Sequence, residues 1–263
     1  MPHILIFGLG YTAGRIAGHL QSRGWTVEAT GRAGTLAFED EGAVIGAIRR
    51  ASHILSSVPP DGPSGDDPVL VRYGRALAGA DLDWTGYLSS TGVYGDAGGA
   101  WVDEGTPVGR GRRAARTEAD LAWQAIRRDV RVFRLPGIYG PGRSALDRVE
   151  QGRAHRIDLP AQMFSRVHVD DILSGVVASF AGPPGVYNLA DDLPCHQNRV
   201  IEAACDLLGH EPPPVQSMDE AGLSPAARAF YAENRRVANG KAKRLLGWTP
   251  RYPTYREGLR ACL

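Results

Sequence analysis

Six residues near the start of the chain, Gly8-Leu9-Gly10-Tyr11-Thr12-Ala13, follow directly on the apolar run Ile4-Leu5-Ile6-Phe7. The chemistry this spacing serves is phosphate binding by the backbone. Gly8 permits a tight turn and Gly10 lets the main chain approach a pyrophosphate. The small Ala13, at the sixth position, lets the following helix pack on the strand. That helix has Ile16, Ala17 and Leu20 on one face, and its first N–H groups and positive dipole end face the anion. In a chain with 33 glycines such a string also arises by chance. Its position, between a first strand and a second strand at Trp25–Thr30, makes it a dinucleotide-binding signal. Gly8, Gly10, Tyr11, Thr12 and Ala13 are therefore cofactor-binding candidates.

The end of the second strand selects the dinucleotide. An acid there binds the ribose 2′-hydroxyl of NAD and repels a 2′-phosphate. The chain reads Thr30-Gly31-Arg32, and Arg32 suits the 2′-phosphate of NADP. The alternative is a solvated loop arginine. NADP is favoured over NAD. Ser56-Ser57-Val58-Pro59-Pro60 ends another strand at the same edge, so Ser56, Val58 and Pro59 are expected beside the cofactor.

The elements that position these residues alternate. Strand-like runs lie at 3–7, 25–30, 52–58, 84–90 and 130–135, with helical patterns at 13–23, 41–50, 69–80 and 115–128. This predicts an α/β fold, a Rossmann-like doubly wound parallel sheet. The second half is less regular. Asp170 or Asp171 is expected to cap a helix carrying Ile172, Val176, Val177 and Phe180. Tyr187 lies in a further strand, a helix spans 197–208, and Thr254 to Glu257 form a capping box. The whole chain, 1–263, reads as one NAD(P)-binding domain. A small C-terminal substrate lobe is drawn from about 140–165 and 190–263.

Composition narrows the classes. A net charge of +1 gives no reason to expect nucleic acid or an anionic membrane as partner. The first apolar run is too short for a signal peptide or a span. The three cysteines, Cys195, Cys205 and Cys262, have no metal-ligand spacing and fit a reducing, cytoplasmic setting. No metal site is expected, and the expected partner is a small-molecule substrate.

Downstream strings carry a family resemblance. Leu88-Ser89-Ser90-Thr91-Gly92-Val93-Tyr94-Gly95-Asp96 resembles the serine segment of extended short-chain dehydrogenase/reductases, the NAD-dependent epimerase/dehydratase group. Arg134 to Gly142 resembles that group's loop beside the nicotinamide and substrate. Arg166-Val167-His168-Val169-Asp170-Asp171, Tyr187 to Ala190 and Leu246 to Pro250 complete the series in order. The resemblance implies a cofactor contact for Ser89, Pro136 and Ile138. It implies that Ser90 hydrogen-bonds the reacting oxygen, beside a tyrosine acid/base and a lysine that holds the nicotinamide ribose. It also implies a possible homodimer through the helices bearing these segments. Where the Tyr-x-x-x-Lys should fall, the chain reads Arg110 to Asp120 with no tyrosine or lysine. The best placement puts Arg112 at the tyrosine position and Arg116 at the lysine position. Arg116 can still hold ribose hydroxyls. Arg112 cannot be a base, because a guanidinium does not deprotonate in proteins, but it suits an electrophile or an anion binder.

The other chemistry-bearing residues have simpler readings. Tyr94 and Tyr139 are candidate substitute acids, though local packing and hydrogen bonding is the favoured role of both. His168 is expected to order the turn before the Asp170 helix, and His53 to be a core histidine. Arginines 110–116 form either an anion site or a solvated helix start. Three functions follow, in this order: an NAD(P)-dependent oxidoreductase or sugar-type epimerase/dehydratase with a non-standard acid/base; a non-catalytic NADP-binding redox sensor or regulator; and a structural protein with an empty cofactor fold.

Overall fold

A computed structural model describes residues 1–60, 65–111 and 114–263. Arg112, a catalytic candidate, lies outside the described residues. The strands are β1 (His3–Phe7), β2 (Thr26–Ala29), β3 (His53–Ser56), β4 (Trp84–Ser90), β5 (Trp101–Val102), β6 (Val130–Leu135), β7 (Gly137–Tyr139), β8 (Arg156–Ile157), β9 (Arg166–His168), β10 (Gly185–Asn188), β11 (Val215–Gln216) and β12 (Arg236–Val237). The helices are α1 (Tyr11–Ser22), α2 (Glu41–Arg50), α3 (Pro68–Ala78), α4 (Ala114–Ile126), α5 (Ala145–Glu150), α6 (Val169–Ala178), α7 (Gln197–Leu208), α8 (Pro225–Phe230), α9 (Gly240–Leu246) and α10 (Tyr255–Arg260).

Six strands form one sheet in the order β10-β6-β4-β3-β1-β2, with every pair parallel. This is the Rossmann-like architecture expected from the alternation. Both faces are covered, so β1 reads as an unbroken apolar run, and Ile4 to Phe7 are fully buried. Their side chains alternate. Ile4 and Ile6 join Ile16 and Leu20 of α1 and Ile172 and Val176 of α6. Leu5 and Phe7 join Val44 and Ile48 of α2, Tyr73 of α3 and Trp123 of α4. Each such side chain contributes roughly 1.5–3 kcal/mol by leaving water. In β4 the Trp84 indole lies over Gly86, where an added Cβ would stand 2.1 Å from a ring carbon.

The strand order reverses between β1 and β3, and ligands bind beyond the carboxyl ends of the strands at such a point. The glycine turn after Phe7 and the segment after Ser56 lie there. Beyond that edge, α5, α7 and α10 share a separate apolar cluster built on Leu146, Ile201 and Leu259. The two-stranded pairs β7–β9, β8–β11 and β5–β12 tie this region back to the sheet.

One expected cap is corrected. His168, not Asp170 or Asp171, caps α6, its Nδ1 accepting from the Asp170 N–H at 3.2 Å. Asp171 is buried in the first turn of the helix. Its carboxylate accepts the N–H groups of Arg251 and Tyr252 at 2.6 and 3.2 Å, tying α6 to the C-terminal segment. The capping box of Thr254 and Glu257 forms as expected. No helix among the described residues is long and apolar enough to cross a membrane.

Candidate functional site

The glycine turn is held from both sides. Thr30 Oγ1 accepts from Gly8 N at 3.2 Å, and Ser57 Oγ donates to Gly8 O at 2.6 Å. Gly8 has φ +83°, and an added Cβ would meet Val58 Cγ2 at 2.9 Å. Only glycine fits there. Gly10, the N-cap of α1, brings no side-chain cap to the helix, so the N–H groups of the first turn are left for an anion. A Cβ added at Gly10 meets nothing within 4 Å. This is the open space that a pyrophosphate lying on the main chain requires, and the residues fit one.

A cleft of about 510 Å³ opens over this turn. Of the sequence candidates, Gly10, Tyr11, Thr12, Pro59, Ser89, Ser90, Arg116, Pro136 and Ile138 line it. The others take different places. Gly8 and Val58 form the turn beneath it, and Ala13 is packed in the core. Arg32 is exposed on the loop after β2, outside the cleft lining. Ser56 is fully buried with no partner for its hydroxyl, and its neighbour Ser57 lines the cleft instead. The alternation of side chains along β3 puts the two serines on opposite sides.

Ser89 and Ser90 differ in the same way. The Ser89 hydroxyl donates to Asp120 Oδ2 at 2.5 Å, deep under α4. Asp120 also takes a two-pronged ion pair from Arg134, Nη2 to Oδ1 at 2.8 Å and Nε to Oδ2 at 3.0 Å. Asp120 is 0% exposed and Arg134 3%. Burial disfavours the Arg134 charge, but Asp120 and the Tyr94 hydroxyl more than offset this and raise its pKa. Arg134 Nη1 donates to the Tyr94 hydroxyl at 3.1 Å, which donates to Asn188 Oδ1 at 2.8 Å. Tyr94 is thus a fixed member of a buried network. Tyr139 is buried outside the cleft, and burial raises its pKa. Tyr94 fills the structural role, whereas the buried Tyr139 hydroxyl has no hydrogen-bond partner among the described residues.

Ser90 caps a single 3-10 turn at Thr91–Tyr94, its Oγ accepting from Gly92 N at 3.1 Å. This hydroxyl and Thr91 lie at the mouth of the cleft across from α1. Arg116, in the first turn of α4, lines the same wall, and its charge offsets part of the burial penalty on Asp67 and Tyr87. The two lysines of the chain are elsewhere. Lys243 pairs with Asp192 at 2.6 Å, and Lys241 sits over the Tyr187 ring. Among the described residues, Arg116 is therefore the cation of this wall.

Sequence reasoning missed the far wall. Arg143, Phe230, Glu233 and Arg235 line the cleft from the loop after β7 and from the segment around α8. Arg235 donates to Gly95 O and pairs with Glu233. The pairing of β12 with β5 and contacts such as Arg235 to Gly95 bring the 230–235 segment across, and two-residue strands leave no periodic signal in a sequence.

The comparisons agree with this architecture. No family model matches the chain. A conserved protein of unknown function from Silicibacter pomeroyi is 41% identical, with 100% of this chain and 98% of that one covered and a TM-score of 0.88. The human epimerase family protein SDR39U1, solved with NADPH, is 16% identical over 98% of both chains, with a TM-score of 0.78. The UDP-glucuronic acid 4-epimerase of Bacillus cereus, solved with NAD, is 14% identical over 98% of this chain and 96% of its own, with a TM-score of 0.77. A 3-diazoavenalumate denitrifying reductase from a Streptomyces species is 30% identical over 140 residues, which is 49% of this chain and 45% of that reductase. The chain therefore belongs to the same family as the Silicibacter pomeroyi protein, an atypical family on the extended short-chain dehydrogenase/reductase fold.

Proposed function

We propose that the protein binds a nicotinamide dinucleotide, NADP in preference to NAD, and uses it in an oxidoreductase or epimerase-type reaction on a small molecule. The observation that carries this reading is the uncapped first turn of α1 beneath the open space at Gly10. Gly10, Tyr11 and Thr12 would hold the pyrophosphate through their backbone, and Arg32 would meet a 2′-phosphate from the loop after β2. Arg116 would hold the ribose hydroxyls, while Pro136 and Ile138 flank the nicotinamide. When bound, the nicotinamide supplies or accepts a hydride. Ser90 hydrogen-bonds the substrate oxygen.

The missing tyrosine decides what kind of acid/base step this wall supports. Arg116 stays protonated and acts as donor and fixed charge, never as base. A reduction in which charge develops on a substrate oxygen suits such a wall, because Ser90 and Arg116 both donate. The reductase name of the Streptomyces relative points the same way.

A second reading is a non-catalytic NADP-binding redox sensor or regulator. The absence of lysine from the cleft favours it. Thermal unfolding with NADPH and NADH titrated separately tests the binding. A ligand at ~100 times its Kd adds roughly 2.7 kcal/mol to the folded state. Stabilisation by NADPH together with NADPH oxidation on a panel of carbonyl compounds supports the enzyme. Stabilisation without turnover supports the sensor, and no stabilisation by either dinucleotide overturns both.

A further inference from the structure

A second chamber, of about 480 Å³, opens beside the cleft and shares Gly137, Ile138, Arg143 and Phe230 with it. Four arginines line it: Arg143, Arg148, Arg153 and Arg166. Asp147 is its one acidic lining residue. The Asp147 carboxylate is already engaged, its Oδ2 accepting from Ser144 N and Ser144 Oγ, both at 2.6 Å, to cap α5.

None of the four arginines has a carboxylate within ion-pair distance among the described residues. Arg166 is 6% exposed, yet it donates only to neutral partners. Nη1 reaches Phe164 O at 3.0 Å and Nη2 reaches Gln197 Oε1 at 3.0 Å, with Cys195 O and Sγ further contacts. It acts electrostatically on the buried Asp191, whose pKa burial pushes up to about 8 against the pull of Arg166. Arg148 faces Arg166 as a like charge. Of the other buried arginines, Arg134 is ion-paired with Asp120, and Arg131 donates to the main-chain oxygens of Asp129 and Gly182. Arg166 is the buried member of the four, while Arg143, Arg148 and Arg153 reach solvent, so an anion entering the chamber meets a concentrated positive field.

The opposite wall is apolar. Phe164 and Phe230 stack with centroids 4.6 Å apart and planes within 2°, and Val200 and Leu259 continue the surface.

We propose that this chamber is the substrate site, and that it takes a small organic anion whose carboxylate or phosphate is held by Arg148 and Arg166 and whose apolar body lies on Phe164 and Phe230. The inference rests on the reading of the neighbouring cleft as the cofactor site. The shared Ile138 and Arg143 place the bound anion's body next to the cleft. Arg148 is the specificity residue, because Arg166 is already tied to main-chain oxygens while Arg148 is not.

The test uses three probes with one ring and different head groups: benzoate, phenyl phosphate and neutral benzyl alcohol. Calorimetric titration of the full chain is expected to show binding of benzoate, phenyl phosphate or both, weakening with salt, and none of benzyl alcohol. Binding of benzoate alone assigns a carboxylate substrate, and of phenyl phosphate alone a phosphate ester. Arg148→Gln is expected to weaken the anion by roughly tenfold or more, as loss of a charged hydrogen bond does. NADPH-induced stabilisation should be unchanged, which separates this site from the cofactor reading. Arg148→Met, which keeps the apolar stem and removes the charge, provides a second variant should Arg148→Gln unfold. Failure of both anions to bind, equal binding by wild type and a folded variant, or equal affinity for benzyl alcohol overturns the proposal.

Discussion

The hydroxyl of Ser89 is bound to buried Asp120 at 2.5 Å, whereas that of Ser90, one residue on, meets among the described residues only the Gly92 N–H at the cleft wall. Adjacent serines at the end of β4 thus serve separate ends. Ser90→Ala is expected to lower turnover strongly while costing about 0.5–2 kcal/mol for the lost cap. Ser89→Ala is expected to lower stability and leave the chemical step nearly unchanged. Parallel denaturant melts and NADPH-oxidation rates on the two variants check this. Equal loss of turnover in both would remove the distinction.

Asp120→Ala leaves Arg134 buried without its counter-ion. The expected cost is about 3–5 kcal/mol, a fall in Tm on the order of 10 °C. Tyr94 and Asn188 hang on the same guanidinium, so near-ultraviolet circular dichroism should change with it. A Tm within a degree or two of wild type would show that the pair contributes little.

Gly10→Ala separates folding from binding. Its Cβ meets nothing in the protein, so stability should stay within about 0.5 kcal/mol of wild type. NADPH should no longer raise the Tm, because the methyl occupies the path of the pyrophosphate. Retained stabilisation would place the dinucleotide elsewhere. Gly8→Ala, with its positive φ, should damage the fold itself.

Arg32→Asp tests the choice of dinucleotide. The exposed side chain holds no partner, so the fold should not change. Affinity for NADPH should fall by roughly tenfold or more and that for NADH little, as read by fluorescence titration. Equal losses for both would sink the 2′-phosphate role.

Asp191 predicts an inverse pH dependence. An unfolded aspartate titrates near ~3.9, while burial holds the folded carboxyl at about 8 despite the charge of Arg166. Between those values the folded state binds more protons than the unfolded one, so this residue's contribution to stability is lost as pH rises from about 4 to about 8. Asp191→Asn should therefore be stabilising at pH 8 relative to wild type, with the gain vanishing near pH 4. Unfolding midpoints across that range check the sign.

The parallel sheet was legible because each of its strands is a short apolar run and each covering helix has a periodic face, as β1 and α1 illustrate. The near wall of the site was legible for the same reason. A glycine turn, a serine at a strand end and the first turn of a helix are local features. Local sequence misled at α6, where two aspartates follow a histidine and the histidine makes the cap. Asp171, buried in the same first turn, serves backbone some 80 residues away. The arginine chamber was not legible at all. Arg143, Arg148 and Arg166 lie on a loop, a helix and a strand, and nothing in an arginine-rich chain marks them as lining one chamber.

The pairing of β12 with β5 joins Arg236 to Trp101 and Val237 to Val102 across more than half the chain. A chain emerging from the ribosome has its glycine turn, Ser90 and Arg116 in hand long before Arg235 is made. Until then the cleft has one wall, and the apolar residues that the late segment covers, Val93 and Val102 among them, face solvent. Such non-local closure is slow and exposes sticky surface while it waits. A nascent chain of this protein is thus expected to be a better client for chaperones than its small size suggests, and to acquire its ligand only after release.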